Sequence, residues 1–262
     1  MTLRVRRLSV ALTPTQAVLL LASMATALAL RLHGLDADLN HDEAFTWQSF
    51  ASQPYGEIVS AYPVPNNHIF HSILVRIASR IFGAGEIAIR LPALLAGLAA
   101  IPAVFLLGRA LFQRTPPALL AAWILALSPA HISFSQVARG YSLLLLFASL
   151  SFLCLHRAIQ HRESGSGLWW VGFVCFSFFS AYTVPSGILH LVVLVVWGIG
   201  TQRASPRLMG RIALAGAVSL ALAVAAYWPI RTQVMAAGEH WGRSLEGLAM
   251  ALTIPSLMDF EA

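Results

Sequence analysis

Lysine is absent from this chain, and charge of either sign is scarce. Only 11% of the 262 residues are charged, and all 17 basic ones are arginine. A water-soluble domain would carry charge on about a quarter of its residues. The shortage therefore argues against a soluble enzyme, and the 58% hydrophobic content and mean hydropathy of +0.72 agree. The arginines are spread along the chain rather than clustered, which argues against a nucleic-acid partner. Cysteine is nearly absent too. Cys154 and Cys175 both fall inside apolar stretches, where inert thiols are the ordinary case and a disulfide framework or thiolate metal site is not. Internal repeats, linkers and low-complexity segments are also missing. What is present is an all-α polytopic membrane protein.

A helix that crosses a bilayer needs roughly 20 apolar residues. Six segments approach that length, near 14–32, 91–108, 116–134, 141–157, 168–200 and 212–230. The fifth is too long for one helix, and Thr183-Val184-Pro185-Ser186-Gly187 interrupts it with turn residues. Splitting it there gives seven expected spans. With the N-terminus in the cytoplasm, the inner segments hold Arg4, Arg6, Arg7, Arg109, Arg114, Arg157, Arg162, Arg203, Arg207 and Arg211, ten of the 17. That is the asymmetry expected of a plasma (inner) membrane protein. Ten of the 11 acids then lie outside, with Glu163 alone inside. A cleavable signal would also begin with arginines and an apolar run ending in small residues such as Ala25, Ala27 and Ala29. The run is long enough to cross, so a first span is the reading kept.

The first outer loop, residues 33–90, is far longer than a usual connection, and such loops tend to be functional. Within it Ile69, Phe70, Ile73, Leu74, Ile77 and Ile81 form an apolar stripe at helical spacing. His71, Ser72, Arg76, Ser79 and Arg80 take the other face. This pattern predicts an amphipathic helix lying on the membrane with its arginines near lipid phosphates. A shorter helix is expected from Asp42 to just before Pro54. Glu86 and Arg90 stand four apart and read as an ion pair at a helix entry.

The order of motifs carries a resemblance. An outer Asp42-Glu43 follows the first span, and Asn66-Asn67-His68 precedes the amphipathic helix. Gly83-Ala84-Gly85-Glu86-Ile87-Ala88-Ile89-Arg90-Leu91-Pro92 comes next, then Gly108-Arg109, then Ser135-Gln136-Val137-Ala138-Arg139-Gly140-Tyr141. Over roughly residues 12–200 the chain resembles the GT-C-fold glycosyltransferases that use polyprenyl-phosphate sugars. These include protein O-mannosyltransferases, aminoarabinose transferases and Rgt-type lipopolysaccharide glycosyltransferases. Family members are usually longer, so the resemblance implies a single transmembrane domain over 1–262 that is an N-terminal portion. It also implies a membrane glycosyltransferase moving a sugar from a polyprenyl-phosphate donor to a protein, lipid or polysaccharide acceptor on the extracytoplasmic face. The aminoarabinose branch carries an acid where this chain has Arg139-Gly140-Tyr141, which argues against that branch.

Sugar transfer requires removal of the acceptor's hydroxyl proton while positive charge develops at the sugar carbon. A carboxylate suits both demands. The resemblance gives that role to Asp42, with Glu43 as its companion in the catalytic pair. On residues alone, Asp42 reads equally as the cap of the helix it opens. The departing lipid phosphate needs a cation, and arginine's planar fork matches phosphate oxygens. Arg139, at a helix entry where charge is costly, is the candidate, and a snorkelling interfacial arginine is the plain alternative. Asn67, His68 and Tyr141 are further substrate-binding candidates, although an interfacial tyrosine is ordinary in an aromatic belt. In the aminoarabinose branch a metal ligand lies near His68, so the resemblance makes His68 a candidate divalent-metal ligand. One histidine is a poor metal site on its own. His131 and His190 fall in spans and are expected to be satisfied by neighbouring helices. The alternative function is a transporter or lipid-binding protein without covalent chemistry, for which repeated halves would be expected.

Overall fold

The computed structural model describes residues 11–64, 66–161 and 166–236. Arg4, Arg6, Arg7, Arg162, Glu163, Glu239, Glu246, Asp259 and Glu261, used in the charge asymmetry above, lie outside the described residues. Helices in chain order are α1 (Pro14–Leu32), α2 (His41–Thr46), α3 (Tyr55–Ser60), α4 (Ile69–Phe82), α5 (Glu86–Phe112), α6 (Thr115–Leu127), α7 (Pro129–Gln136), α8 (Tyr141–Gln160), α9 (Gly167–Thr183), α10 (Gly187–Thr201) and α11 (Pro206–Tyr227). There are no strands among the described residues.

Four helices are long and apolar enough to cross a membrane: α1, α5, α8 and the α11 stretch that runs on to Ala236. The expected span over 116–134 is not one helix. It breaks at Ser128 into α6 and α7, which meet at 57°. Pro129 is the reason: it cannot donate the backbone bond a continuous helix needs, while Ser128 caps α7 by accepting from the His131 amide. Counted as one bent span, that pair makes a fifth. The helices α9 and α10, which meet at the turn expected over 183–187, have 17 and 15 residues, short of a full crossing by length alone.

The protein is turned inside out relative to a soluble one. Large aliphatic side chains such as Leu21, Leu120, Ile124, Leu168, Leu189 and Val193 are more than half exposed, as expected where lipid is the solvent. The buried faces are built from small residues that let backbones approach. On α5 these are Ala93, Ala96, Gly97 and Ala100. A Cβ on Gly97 would sit 2.7 Å from the Ser135 Cβ, so glycine is what lets α7 cross α5 there.

The same inversion corrects the reading of α4. Its buried face is Ile69, His71, Ser72, Val75, Arg76 and Ala78, while Ile77, Ile81 and Phe82 are exposed. The polar side faces protein and the apolar side faces out. Arg76 donates to the Ser52 carbonyl at 2.6 Å and lies over the Tyr55 ring, so it is not free for lipid phosphates. Arg80 is exposed. In a bilayer, polar groups are the ones that must find protein partners.

Candidate active site

The segment 33–85 and the adjoining ends of α5, α8, α9 and α11 build one end of the bundle, and Glu43 is its centre. Its carboxylate is wholly buried. One oxygen accepts from Arg90 Nε (2.8 Å) and the Ala138 amide (2.7 Å). The other accepts from Arg90 Nη2 (2.7 Å) and the Asn40 amide (3.0 Å). A bidentate Arg–carboxylate pair with two further amide donors fills the carboxylate's acceptor capacity. Burial alone would raise this carboxyl's pKa, but the Arg90 contact and the two amides outweigh it and hold the pKa below the ordinary value.

Two expectations are corrected here. Arg90 does not take Glu86, four residues away, as its hydrogen-bonded partner; it takes Glu43, 47 residues away. Its remaining donors hold the Leu35, Ala37 and Asp38 carbonyls. The helix cap is Asn40 rather than Asp42: Asn40 and Glu43 form a reciprocal capping box. The short helix itself begins where expected and runs through a π-helical turn, Trp47–Ala51, before Pro54.

Asp42 lies beside Glu43 yet faces the other way. Its side chain is 63% exposed, and its nearest ionic neighbour is the exposed His41 at 3.8 Å. One helical turn on from Asp42 is Thr46, on the same face of α2. Thr46 is buried, and its hydroxyl accepts from Arg139 at 3.4 Å. Asn66 gives Arg139 a second acceptor on the same nitrogen, and the Tyr141 ring lies 5.8 Å from the guanidinium carbon. Arg139 is 7% exposed, and its buried Nε has no partner. Among the described residues no carboxylate lies within ion-pair distance of it, because Glu43 belongs to Arg90.

Asn67 and His68 are buried and already engaged. The Asn67 amide donates to the Ile58 and Ala61 carbonyls and accepts from the Ser72 hydroxyl. His68 Nδ1 accepts from the Gly140 amide at 2.8 Å, with the ring edge-on to Tyr141. Gly140 is the residue that fits: a Cβ there would come within 2.6 Å of Thr183 and 3.1 Å of His68. Burial, then the neighbouring Arg139 and His71, hold the His68 pKa well below its usual range. Buried His71, its two nitrogens without partners, is pushed down to about 3 by burial and by Arg139, with Glu43 pulling the other way. Both rings are neutral. As a metal site the arrangement does not fit. His68 has one nitrogen committed to Gly140, and among the described residues no three His, Cys, Asp or Glu side chains gather as a metal requires.

Two apolar grooves adjoin this end. The first, of about 470 Å³, runs along α8 and includes Leu144, Leu145 and Ala148, with Ser128, His131, Tyr141 and Ser186 among its polar members. The second, of about 400 Å³, lies between α4, α5 and α8, and its lining has no polar side chain. Asp42 lines neither.

Sequence reasoning singled out Asp42, Glu43, Asn67, His68, Arg139 and Tyr141. It missed Thr46 and Asn66 as holders of Arg139, and it undervalued Arg90. The Asn40-x-x-Glu43 spacing was a legible cap signal. Nothing local marks Thr46.

The fold and site define a multi-pass helical membrane protein with a buried cation set beside lipid-facing grooves. The family model described as dolichyl-phosphate-mannose-protein mannosyltransferase matches residues 66–228, more than half of the chain. The protein belongs to that family, which is one of membrane glycosyltransferases of the GT-C type. A comparison with curated proteins finds no match.

Proposed function

We propose that the chain transfers a sugar from a polyprenyl-phosphate-linked donor to an acceptor on the extracytoplasmic face. The observation that carries this reading is Arg139: a buried guanidinium with an unpartnered Nε and no carboxylate partner among the described residues, beside a groove of isoprenoid-compatible lining. A buried charge without a counter-ion is costly, and a donor phosphate supplies one. This reading takes seven crossings, with α6 and α7 as one bent span and α9 and α10 as short spans, and the arginine asymmetry argues for a cytoplasmic N-terminus with the 33–85 segment outside.

In this reading the acceptor hydroxyl attacks the sugar's anomeric carbon as the carbon–oxygen bond to the lipid phosphate breaks. The hydroxyl proton passes to Asp42, and the negative charge left on the phosphate is met by Arg139. Exposure suits Asp42 to this task because the acceptor arrives from water. Glu43 and Arg90 position the Arg139 turn through the Ala138 amide, and His68 does so through the Gly140 amide. Asn67 holds the segment that carries Asn66.

Asp42→Asn tests the assignment. Transfer from a polyprenyl-phosphate sugar should fall about 10²–10⁴-fold, with the melting temperature unchanged because the side chain is exposed. Wild-type transfer rates in the variant would remove Asp42 as the base. Movement of an intact lipid or solute without transfer would favour the transporter reading.

A further inference from the structure

Arg31 sits at the end of the first span and is wholly buried. Its five N–H donors are all placed. Nε donates to the Ser135 hydroxyl, Nη1 to the Ala27 and Ala126 carbonyls, and Nη2 to the Leu125 carbonyl and to His131 Nδ1 at 2.8 Å. The Leu125 and Ala126 carbonyls lie in the last turn of α6, where Leu125 also accepts from the Ser128 amide at the break. The guanidinium closes that helix end, where the dipole favours a cation.

This arrangement fixes the state of His131. A guanidinium can only donate, so Nδ1 accepts and carries no proton. The neutral ring then bears its hydrogen on Nε2, and that atom is buried without a partner. His131 is 4% exposed and is part of the lining of the first groove, with Tyr141 and Phe134, whose rings meet at 4.9 Å. Tyr141 in turn lies against Arg139. The polar edge of the groove therefore runs from Arg139 past Tyr141 to an N–H backed by a positive charge. An orphan donor in an apolar wall is costly, and the positive charge behind it favours an anionic acceptor.

We propose that His131, locked by Arg31 with its proton on Nε2, donates a hydrogen bond to a phosphate oxygen of an isoprenoid phosphate seated in the first groove, making it a second lipid-phosphate contact besides Arg139. The inference rests on the reading of a polyprenyl-phosphate donor. Arg31 is a positioning residue: it sets the tautomer and touches no ligand.

The test uses the whole protein in lipid nanodiscs with three probes: a polyprenyl phosphate, the matching polyprenol, and inorganic phosphate. His131→Asn keeps an acceptor in reach of Arg31 and removes the Nε2 donor. Preference for polyprenyl phosphate over polyprenol should fall on the order of tenfold, the worth of one hydrogen bond to a charged group. In ¹⁵N-histidine spectra of the wild type, the His131 ring should show bare Nδ1 and protonated Nε2, and polyprenyl phosphate alone of the three should move Nε2. The spectra decide even if the variant fails to fold. Unchanged preference in His131→Asn, or a proton found on Nδ1, overturns the inference and leaves the donor reading standing. Inorganic phosphate moving Nε2 as strongly as the lipid overturns the lipid source. No preference for polyprenyl phosphate in the wild type defeats both readings together.

Discussion

The two grooves are similar in volume and share α8 as a wall, yet they are built for different neighbours. The second, under α4, has a lining with no polar side chain and presents ordinary hydrocarbon to the bilayer. The first carries serines, a tyrosine and two histidines, and it adjoins the buried Arg139 turn. Volume does not separate them. The difference lies in the lining itself: His131, whose Nε2 is left without a partner, lines the first, and no polar side chain lines the second. In a membrane protein, such unfinished polar groups are better pointers to chemistry than concavity alone.

The contrast can be broken at its support. Glu43→Ala removes the partner of a buried arginine and the acceptor of the Ala138 amide. It should cost about 3–5 kcal/mol, read as a large drop in melting temperature in detergent. Surviving protein should lose polyprenyl-phosphate binding, since the Arg139 turn hangs on that amide. A near-neutral result would mean the Glu43–Arg90 pair does not organise the first groove's edge.

Acid should act in the same direction, more gently. The folded pKa of His71 lies near 3, below the ordinary 6.5, so the unfolded chain binds the proton first. The stability this group contributes is complete above pH 6.5 and declines as pH falls from there toward 3. Between pH 7 and 5 the loss is about 2 kcal/mol for one such histidine. The melting temperature of His71→Phe should vary less with pH than that of the wild type, and equal slopes would exclude His71 as the origin.

The smallest effect sharpens the comparison most directly. Ala148→Trp fills the first groove and Ala99→Trp the second. The first should raise the KM for a polyprenyl-phosphate sugar by about tenfold, the loss of roughly 1.4 kcal/mol of lipid contact, while the second leaves it within twofold. Equal effects would put the carrier in neither groove or in both.

Local patterns in the sequence were enough for an all-helical chain with the long apolar helices α1, α5, α8 and α11, and for the helix after Asn40. They failed where a strong local signal competed with a distant one. Glu86 and Arg90 are four apart, a spacing that normally pairs, yet the burial of Glu43 made it the better partner across 47 residues. The amphipathic pattern of α4 does not say whether its polar face meets headgroups or protein, and Arg76 meets the Ser52 carbonyl and the Tyr55 ring. The Arg31–His131 contact spans 100 residues, and no period within a single helix announces it.

That last separation has a consequence for biogenesis. Arg31 emerges from the ribosome about a hundred residues ahead of the groups that will satisfy it, which at roughly 5–20 residues per second is a delay of about 5–20 s. Until then the guanidinium must stay up among the headgroups, holding the leading helix shallow. Its final descent waits for α6 and α7, so α1 settles only after helices synthesised later than itself.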